Sequence, residues 1–225
     1  MIQLLKVSKY LLNAELGHEV VLRDTSFAFP TDRPLALLGP DGKVLTAVLL
    51  MLTGSTVPDR GQIDRGRLRC SPVINAGGFA TTLVVRLSGA DNIRMLADFY
   101  GVDRHRLLEL VGVASKLGKL LDLPTRRLDA QKRRALEVAA VGALPFDCYF
   151  IDRLHAIEPP LVKRLFEAAG MRGAGVIFSA ARLSQATRLA SSGVFASNGS
   201  LQWAGNLEDV TELHGQTGQD AAIAG

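Results

Sequence analysis

Apolar positions along this 225-residue chain change period several times. Val20 to Phe29 (VVLRDTSFAF) alternates as a half-buried strand does, and Pro30 to Pro34 reads as a turn. Leu35 to Leu38 (LALL) is a short unbroken apolar run, as in a strand buried on both faces. Gly39-Pro40-Asp41-Gly42 breaks the run, and Lys43 to Leu52 then reads as a buried helix stopped by Gly54. From Ser55 to Gly78 the chain turns to Gly, Pro, Asp and Arg, with short strands predicted around Gln62–Ile63 and Pro72–Ile74. Asp91 to Tyr100 puts Ile93, Leu96 and Phe99 on one helical face, and Asp103 to Leu117 continues with Leu107, Leu110 and Val111. A third helix starts at Asp129, a good N-cap residue, and ends near Leu144.

Two more apolar strands follow, Phe146–Ile151 ending in Asp152 and Ala174–Ser179, separated by a helix over Pro159–Gly170. A helix over Ala181–Ala190 comes next, and Val194–Trp203 holds an Asn198-Gly199 turn between two strands, a strong hairpin signal. Leu207–His214 reads as a short helix, and Gln216–Gly225 as a small polar tail. Buried strands alternating with helices predict an α/β fold on a largely parallel sheet, with the helix-only stretch from Asp91 to Leu144 inserted into it.

Composition narrows the function. A hydrophobic share of 48% against 21% charged residues is enough for a core, so a disordered chain is excluded. The net charge of +4 is too small to argue for nucleic acid, and no aromatic residues interleave the basic runs Arg126-Arg127 and Lys132-Arg133-Arg134. Those runs read as a solvated helix face or as a docking surface for an acidic partner. Two cysteines, Cys70 and Cys148, exclude a disulfide framework and fit a reducing compartment. The longest apolar stretch, Val44–Leu52, is far short of the ~20 residues a bilayer needs. A soluble cytoplasmic chain is the expectation.

The strand, glycine turn and helix at 35–52 form the arrangement in which α/β proteins hold phosphate, with backbone N–H groups aimed at the anion. A working loop of this kind reads G-x-x-x-x-G-K-[ST]. Here Gly39, Gly42 and the Thr46 hydroxyl fit, but Val44 stands for the last glycine and Leu45 for the lysine.

Gly39 to Gly54 (GPDGKVLTAVLLMLTG) resembles the Walker A segment of ABC-transporter ATPases, including the spacing to Gly54. Pro58 to Ile63 (PDRGQI) looks like the P-x-x-G-x-I that follows in that family. Gly77-Gly78-Phe79, Leu87 to Asn92 (LSGADN) and Phe99-Tyr100-Gly101 look like its polysaccharide-export branch, which serves capsule, O-antigen and related glycan exporters. Phe146 to Asp152 (FDCYFID) is similar to the Walker B strand, and Gly193 to His214 to the closing hairpin and helix. The resemblance spans roughly residues 1–214; no motif is complete, but their order and spacing are specific.

The resemblance implies a P-loop NTPase (RecA-like) α/β fold: a mostly parallel sheet core with antiparallel edge strands and a helical subdomain inserted at about 91–144. One such domain would cover 1–214, with a flexible tail at 215–225. It implies ATP and Mg2+ as cofactors, a polytopic membrane permease and a second ATP-binding-cassette subunit as partners, and a peripheral position on the cytoplasmic face of the inner membrane. Carried over position by position, Tyr10 would stack on adenine, unless it is an ordinary half-buried tyrosine. Gly39, Gly42, Lys43, Thr46 and Ala47 would form the loop, and Thr46 and Asp152 would organise Mg2+. Lys43, two residues early, could serve as the phosphate lysine only in a shifted loop. Arg153 occupies the place of the catalytic glutamate and Ala180 that of the switch histidine, and Asp129-Ala130-Gln131-Lys132 lacks the serine and glycine of the signature. Arg153 could instead pair with Asp152, which could itself be a plain strand-end carboxylate. Losing a charged hydrogen bond to phosphate costs ~1.5–3 kcal/mol, and losing a general base typically costs ~10²–10⁴ in rate. The expectation is a degenerate subunit that binds ATP weakly or not at all; the alternative is an active ATP-hydrolysing subunit that energises glycan export.

Overall fold

The computed structural model describes residues 1–13, 17–78 and 81–207. Along the chain run β1 (Ile2–Asn13), β2 (Gly17–Phe29), β3 (Pro34–Leu38), α1 (Gly42–Thr53), β4 (Arg60–Asp64) and β5 (Cys70–Ile74). Helices α2 (Gly89–Tyr100), α3 (Arg104–Ser115) and α4 (Ala130–Ala143) follow. The chain then returns to β6 (Cys148–Ile151), α5 (Pro159–Met171), β7 (Gly175–Ser179), α6 (Leu183–Ala186), β8 (Gly193–Ser197) and β9 (Ser200–Ala204).

The core is a six-stranded sheet in the order β5-β6-β7-β3-β8-β9, parallel except for the antiparallel edge strand β9. Strands β3, β6 and β7 lie together in it, as their unbroken apolar runs predict. Alternate residues serve opposite faces. Leu35, Leu37, Cys148, Phe150 and Ile177 pack with the buried side of α1. Ala36, Leu38, Tyr149, Ile151, Val176 and Phe178 pack with α4 and α5. A second, antiparallel sheet in the order β2-β1-β4 adds Ile2, Leu4, Val7 and Leu22 to the α1 side. The hairpin tip at Asn198 and Gly199, both at positive φ as a tight turn requires, joins the two sheets. Arg23 N–H donates to the Gly199 carbonyl at 2.8 Å.

The N-terminal strand β1, central to the small sheet, has no clear signal in the pattern. Its inward residues are Ile2, Leu4 and then Val7, because the register shifts between Leu4 and Val7, where Lys6 has φ 49. A bulge breaks the period of two on which strand recognition depends.

Helix ends follow the expected chemistry. Asp41, Ser88, Asp103 and Asp129 accept backbone N–H bonds at the starts of α1 to α4, and Gly54 and Gly101 close α1 and α2 with left-handed φ. The end of α4 is closed from outside: Arg172 Nη1 donates to the carbonyls of Gly142 (2.9 Å) and Leu144 (3.1 Å) and also to the Tyr149 hydroxyl.

Three expectations are corrected. Phe99 is 78% exposed, because the buried stripe of α2 runs through Ile93, Leu96 and Ala97 and turns away before Phe99. Leu110 is also exposed: α3 buries the narrow i, i+4, i+8 line Leu107, Val111 and Ser115. Regular helix over 181–190 shrinks to Leu183–Ala186, after which Leu189 N–H bonds back only three residues, to the Ala186 carbonyl. The helix expected over 207–214 and the tail at 215–225 lie outside the described residues, apart from Leu207, which is buried against the core.

Gly175 begins β7 with no room for a side chain: a Cβ there would lie 2.5 Å from the Thr31 carbonyl carbon and oxygen. Gly175→Ala therefore lowers stability by about 1–3 kcal/mol. Gly170→Ala, where a Cβ meets nothing within 4 Å, is neutral or stabilising. Thermal unfolding of the two variants beside the parent checks the contrast.

Candidate functional site

At the carboxyl ends of β3, β6 and β7 lies a cleft of about 400 Å³. Such sheet ends are where open α/β folds bind ligands. Gly39, Gly42, Lys43 and Leu45 line one side, and Asp152, Arg153, His155, Ser179 and Ala180 the other. Gly39 is sterically required, since a Cβ would lie 2.4 Å from the Ala196 carbonyl oxygen and 3.2 Å from Leu45 Cδ2. The same contact explains Leu45, which is only 5% exposed: its side chain folds beneath the loop where a longer cationic residue would reach into the cleft. Val44 belongs to the first turn of α1 and has no positive φ, so it carries no backbone strain.

A helix N-terminus attracts anions through its free N–H groups. Here the chain supplies its own anion. The Asp41 carboxylate accepts the Lys43 N–H at 2.7 Å. Burial works to raise the Asp41 pKa, but hydrogen bonds from Glu19 and from the Lys43 and Val44 N–H groups, with the Lys43 charge, outweigh it and hold the carboxyl below its ordinary value. Glu19, on β2, moves the other way, first through its hydrogen bond to Asp41, then by burial and the repulsion of that carboxylate.

Asp152 is fully buried, and both its oxygens are hydrogen-bonded within the protein. Its Oδ2 accepts from the Thr46 hydroxyl (2.7 Å) and the Gly77 N–H (2.8 Å), and its Oδ1 from the Ser179 hydroxyl (2.6 Å). Ser179 Oγ in turn accepts the Arg153 N–H at 2.8 Å. Arg153 takes a left-handed backbone (φ 48), and its Nε stands 3.9 Å from Asp152 Oδ2. The two are an ion pair only at the outer limit of contact.

Behind the cleft, α4 carries a buried carboxylate that the sequence analysis passed over. Glu137 accepts the N–H of Asn75 and the N–H of Thr82, each at 2.9 Å, and so holds both ends of the segment after β5. Asn75 Nδ2 donates to the Asp152 carbonyl at 3.1 Å, and Arg134 Nε to Asn75 Oδ1 at 3.0 Å. The available signal was a single charge inside the apolar run Ala135 to Val141, every residue of which is buried. Ser179 and His155 were missed because nothing local distinguishes them.

Of the expected binding residues, Gly39, Gly42, Lys43 and Asp152 meet in the cleft. Thr46 reaches Asp152 but lines a neighbouring hollow with Leu50, Ala76 and Gly77. Ala47 is buried, and its side chain faces the core of the α1 side. Tyr10 is not among the residues lining the cleft. Its N–H bonds Asp59 Oδ2 at 2.8 Å and its ring stands edge-on to His18 at 6.4 Å. Phe79 lies outside the described residues.

No protein-family model matches the chain. Individual proteins do. The capsule polysaccharide export ATP-binding protein CtrD of Neisseria meningitidis serogroup B is 30% identical over 157 residues, 70% of each chain. The chain belongs to the ATP-binding subunits of ABC transporters, in the polysaccharide-export branch. The O-antigen export system ATP-binding protein RfbB of Klebsiella pneumoniae is 25% identical over 222 residues, 95% of this chain and 85% of that protein. In fold the chain is similar to the ATP-binding cassette MJ0796, solved as a dimer in a post-hydrolysis state with ADP and Pi. The TM-score is 0.74 over 92% of this chain and 99% of that one, at 13% identity.

This family implies ATP, usually with Mg2+. The residues present fit a divalent cation poorly. Both acceptor positions of Asp152 Oδ2 are taken by protein donors and a guanidinium stands beside it, while the Thr46 hydroxyl, donating to that oxygen, keeps its own lone pairs. Among the described residues no group of three or more His, Cys, Asp or Glu side chains is placed to hold a metal.

Glu137 generates a pH prediction. Burial is the largest influence on it and raises its pKa above the ordinary 4.5, with the N–H groups of Thr82 and Asn75 opposing only in part. Its contribution to stability is therefore fully present below the ordinary value and lost as pH rises through the raised one. Glu137→Gln removes that titration and turns an amide N–H toward a backbone N–H. The stability difference between parent and variant shrinks as pH is raised from about 4 to about 8 in denaturant titrations.

Proposed function

We propose that the chain is a non-hydrolysing ATP-binding-cassette subunit of a glycan exporter, with a structural or regulatory role. In this reading it sits on the cytoplasmic face of the inner membrane against a polytopic permease and pairs with a second cassette subunit. The names of its relatives, capsule polysaccharide and O-antigen export ATP-binding proteins, support the transport role. Among the described residues no helix is long and apolar enough to cross a membrane, so attachment would run through the permease. We further propose that residues 1–214 act as one cassette, with α2 to α4 as its helical subdomain.

The observation that carries the loss of catalysis is the exchange of charge at the cleft. Leu45 is tucked under Gly39 where a phosphate-binding ammonium is needed, and a guanidinium at Arg153 stands in the place of a general base. Ala180 offers no group to position a water or a γ-phosphate. Loss of the base alone accounts for ~10²–10⁴ in rate. Weak nucleotide binding follows from the same residues.

Phosphate release by the purified chain with ATP and Mg2+ is expected at background. Turnover in the ordinary enzyme range of about 1–10³ s⁻¹ that disappears in Asp152→Ala would establish the hydrolysing alternative, with Lys43 as the phosphate lysine. A second measurement tests the register of the loop. The double change Val44→Gly, Leu45→Lys restores close backbone approach and counter-charge, and tightens ATP binding by about tenfold or more in calorimetric titration. Each single change does less, because both act on one phosphate group.

A further inference from the structure

We infer that the cleft beside Asp152 takes a polyphosphate chain without a divalent cation, the positive charge being supplied by Arg153 and Lys43. The inference rests on the proposed reading only for the class of ligand. Its own basis is the distribution of charge and of unused donors around the cleft.

The acidic groups of the cleft are already committed inside the protein. Asp152 is shielded from solvent, with three protein donors on its two oxygens. Asp41 is turned onto the Lys43 N–H and Glu19. The cationic groups are not so committed. The Arg153 side chain is 43% exposed, its stem crosses Gly78, and its Nε is buried with no hydrogen-bond partner. Lys43 is exposed on the opposite wall, and His155 on the same side as Arg153. An entering anion therefore meets two permanent positive charges and unused guanidinium donors. A guanidinium presents its donors in a planar fork suited to phosphate oxygens. At about 400 Å³ the cleft is within the range of small-ligand sites. A magnesium ion brought in with the phosphates would be placed near Arg153 and repelled by it. The metal thus weakens binding here instead of mediating it.

The test is calorimetric titration of the full chain with inorganic tripolyphosphate and with ATP, each in excess EDTA and in excess Mg2+. The expected result is binding of both probes in EDTA and equal or weaker binding in Mg2+. Arg153→Asn keeps a residue that tolerates the left-handed backbone and weakens the metal-free affinity by about tenfold to hundredfold. Lys43→Gln, on the other wall, is a second variant in case the first perturbs folding; it weakens binding in the same direction. Binding of ATP but not tripolyphosphate in EDTA would place the recognition on the nucleoside and overturn the inference. So would binding that requires Mg2+, an unchanged affinity in both variants, or no binding in EDTA. Phosphate release in Mg2+ together with metal-free binding would defeat the non-hydrolysing reading and leave this inference standing.

Discussion

A buried carboxylate, that of Asp152, constrains the rest of the architecture. An unpaired charge removed from water costs several kcal/mol, so its hydrogen-bond partners have to be in place before the core can close. Here the partners come from three different segments. The Thr46 hydroxyl fixes the first turns of α1, the Gly77 N–H fixes the chain after β5, and the Ser179 hydroxyl fixes the end of β7 beside the end of β6. Asn75 then bonds the Asp152 carbonyl and is itself gripped by Glu137 and Arg134. The cleft is what remains between these elements once the carboxylate is satisfied. Removing that carboxylate would unsettle the strand ends as well as the candidate site.

Much of the fold was legible because burial on both faces leaves an unmistakable pattern. The runs at β3, β6 and β7 are short, apolar and bounded, and parallel strands in a covered sheet read in that way. The Asn198-Gly199 turn and the Asp129 cap were legible for a different reason: their backbone chemistry is local. Strand β1 was illegible because its bulge at Lys6 shifts the side-chain phase, and a period of two cannot be followed through a phase shift. Phe99 and Leu110 were misplaced because helical spacing defines a face but not its width. How much of a face is covered depends on the neighbours, which the pattern does not contain.

The site was legible by its main chain and not by its side chains. Gly39 is dictated by the carbonyl of Ala196, a contact between elements about 150 residues apart that only spatial structure reveals. The substitution at Leu45 could be read directly, and its burial gives the reason an aliphatic residue is tolerated there. Ala47 and Tyr10 were carried over by position, but one faces the core and the other stands by His18. The self-capping of the loop by Asp41 and its hydrogen bond with Glu19 depend on β2 lying against the loop, which no linear motif encodes.

The bonds from Arg172 to the end of α4 have a mechanical meaning. That helix is fastened at its carboxyl end by a guanidinium holding two terminal carbonyls, and again at mid-length by Glu137. Its amino end is held as well: beyond the Asp129 cap, Gln131 Nε2 donates to Glu158 Oε1, and Arg134 donates to Asn75 Oδ1 and to the Gly78 carbonyl. A rod of 14 residues, about 21 Å long at ~1.5 Å per residue, fastened at both ends behaves as a strut. A push on either end is therefore carried along the whole helix, and Glu137 passes it through the Asn75 N–H to the back of the cleft.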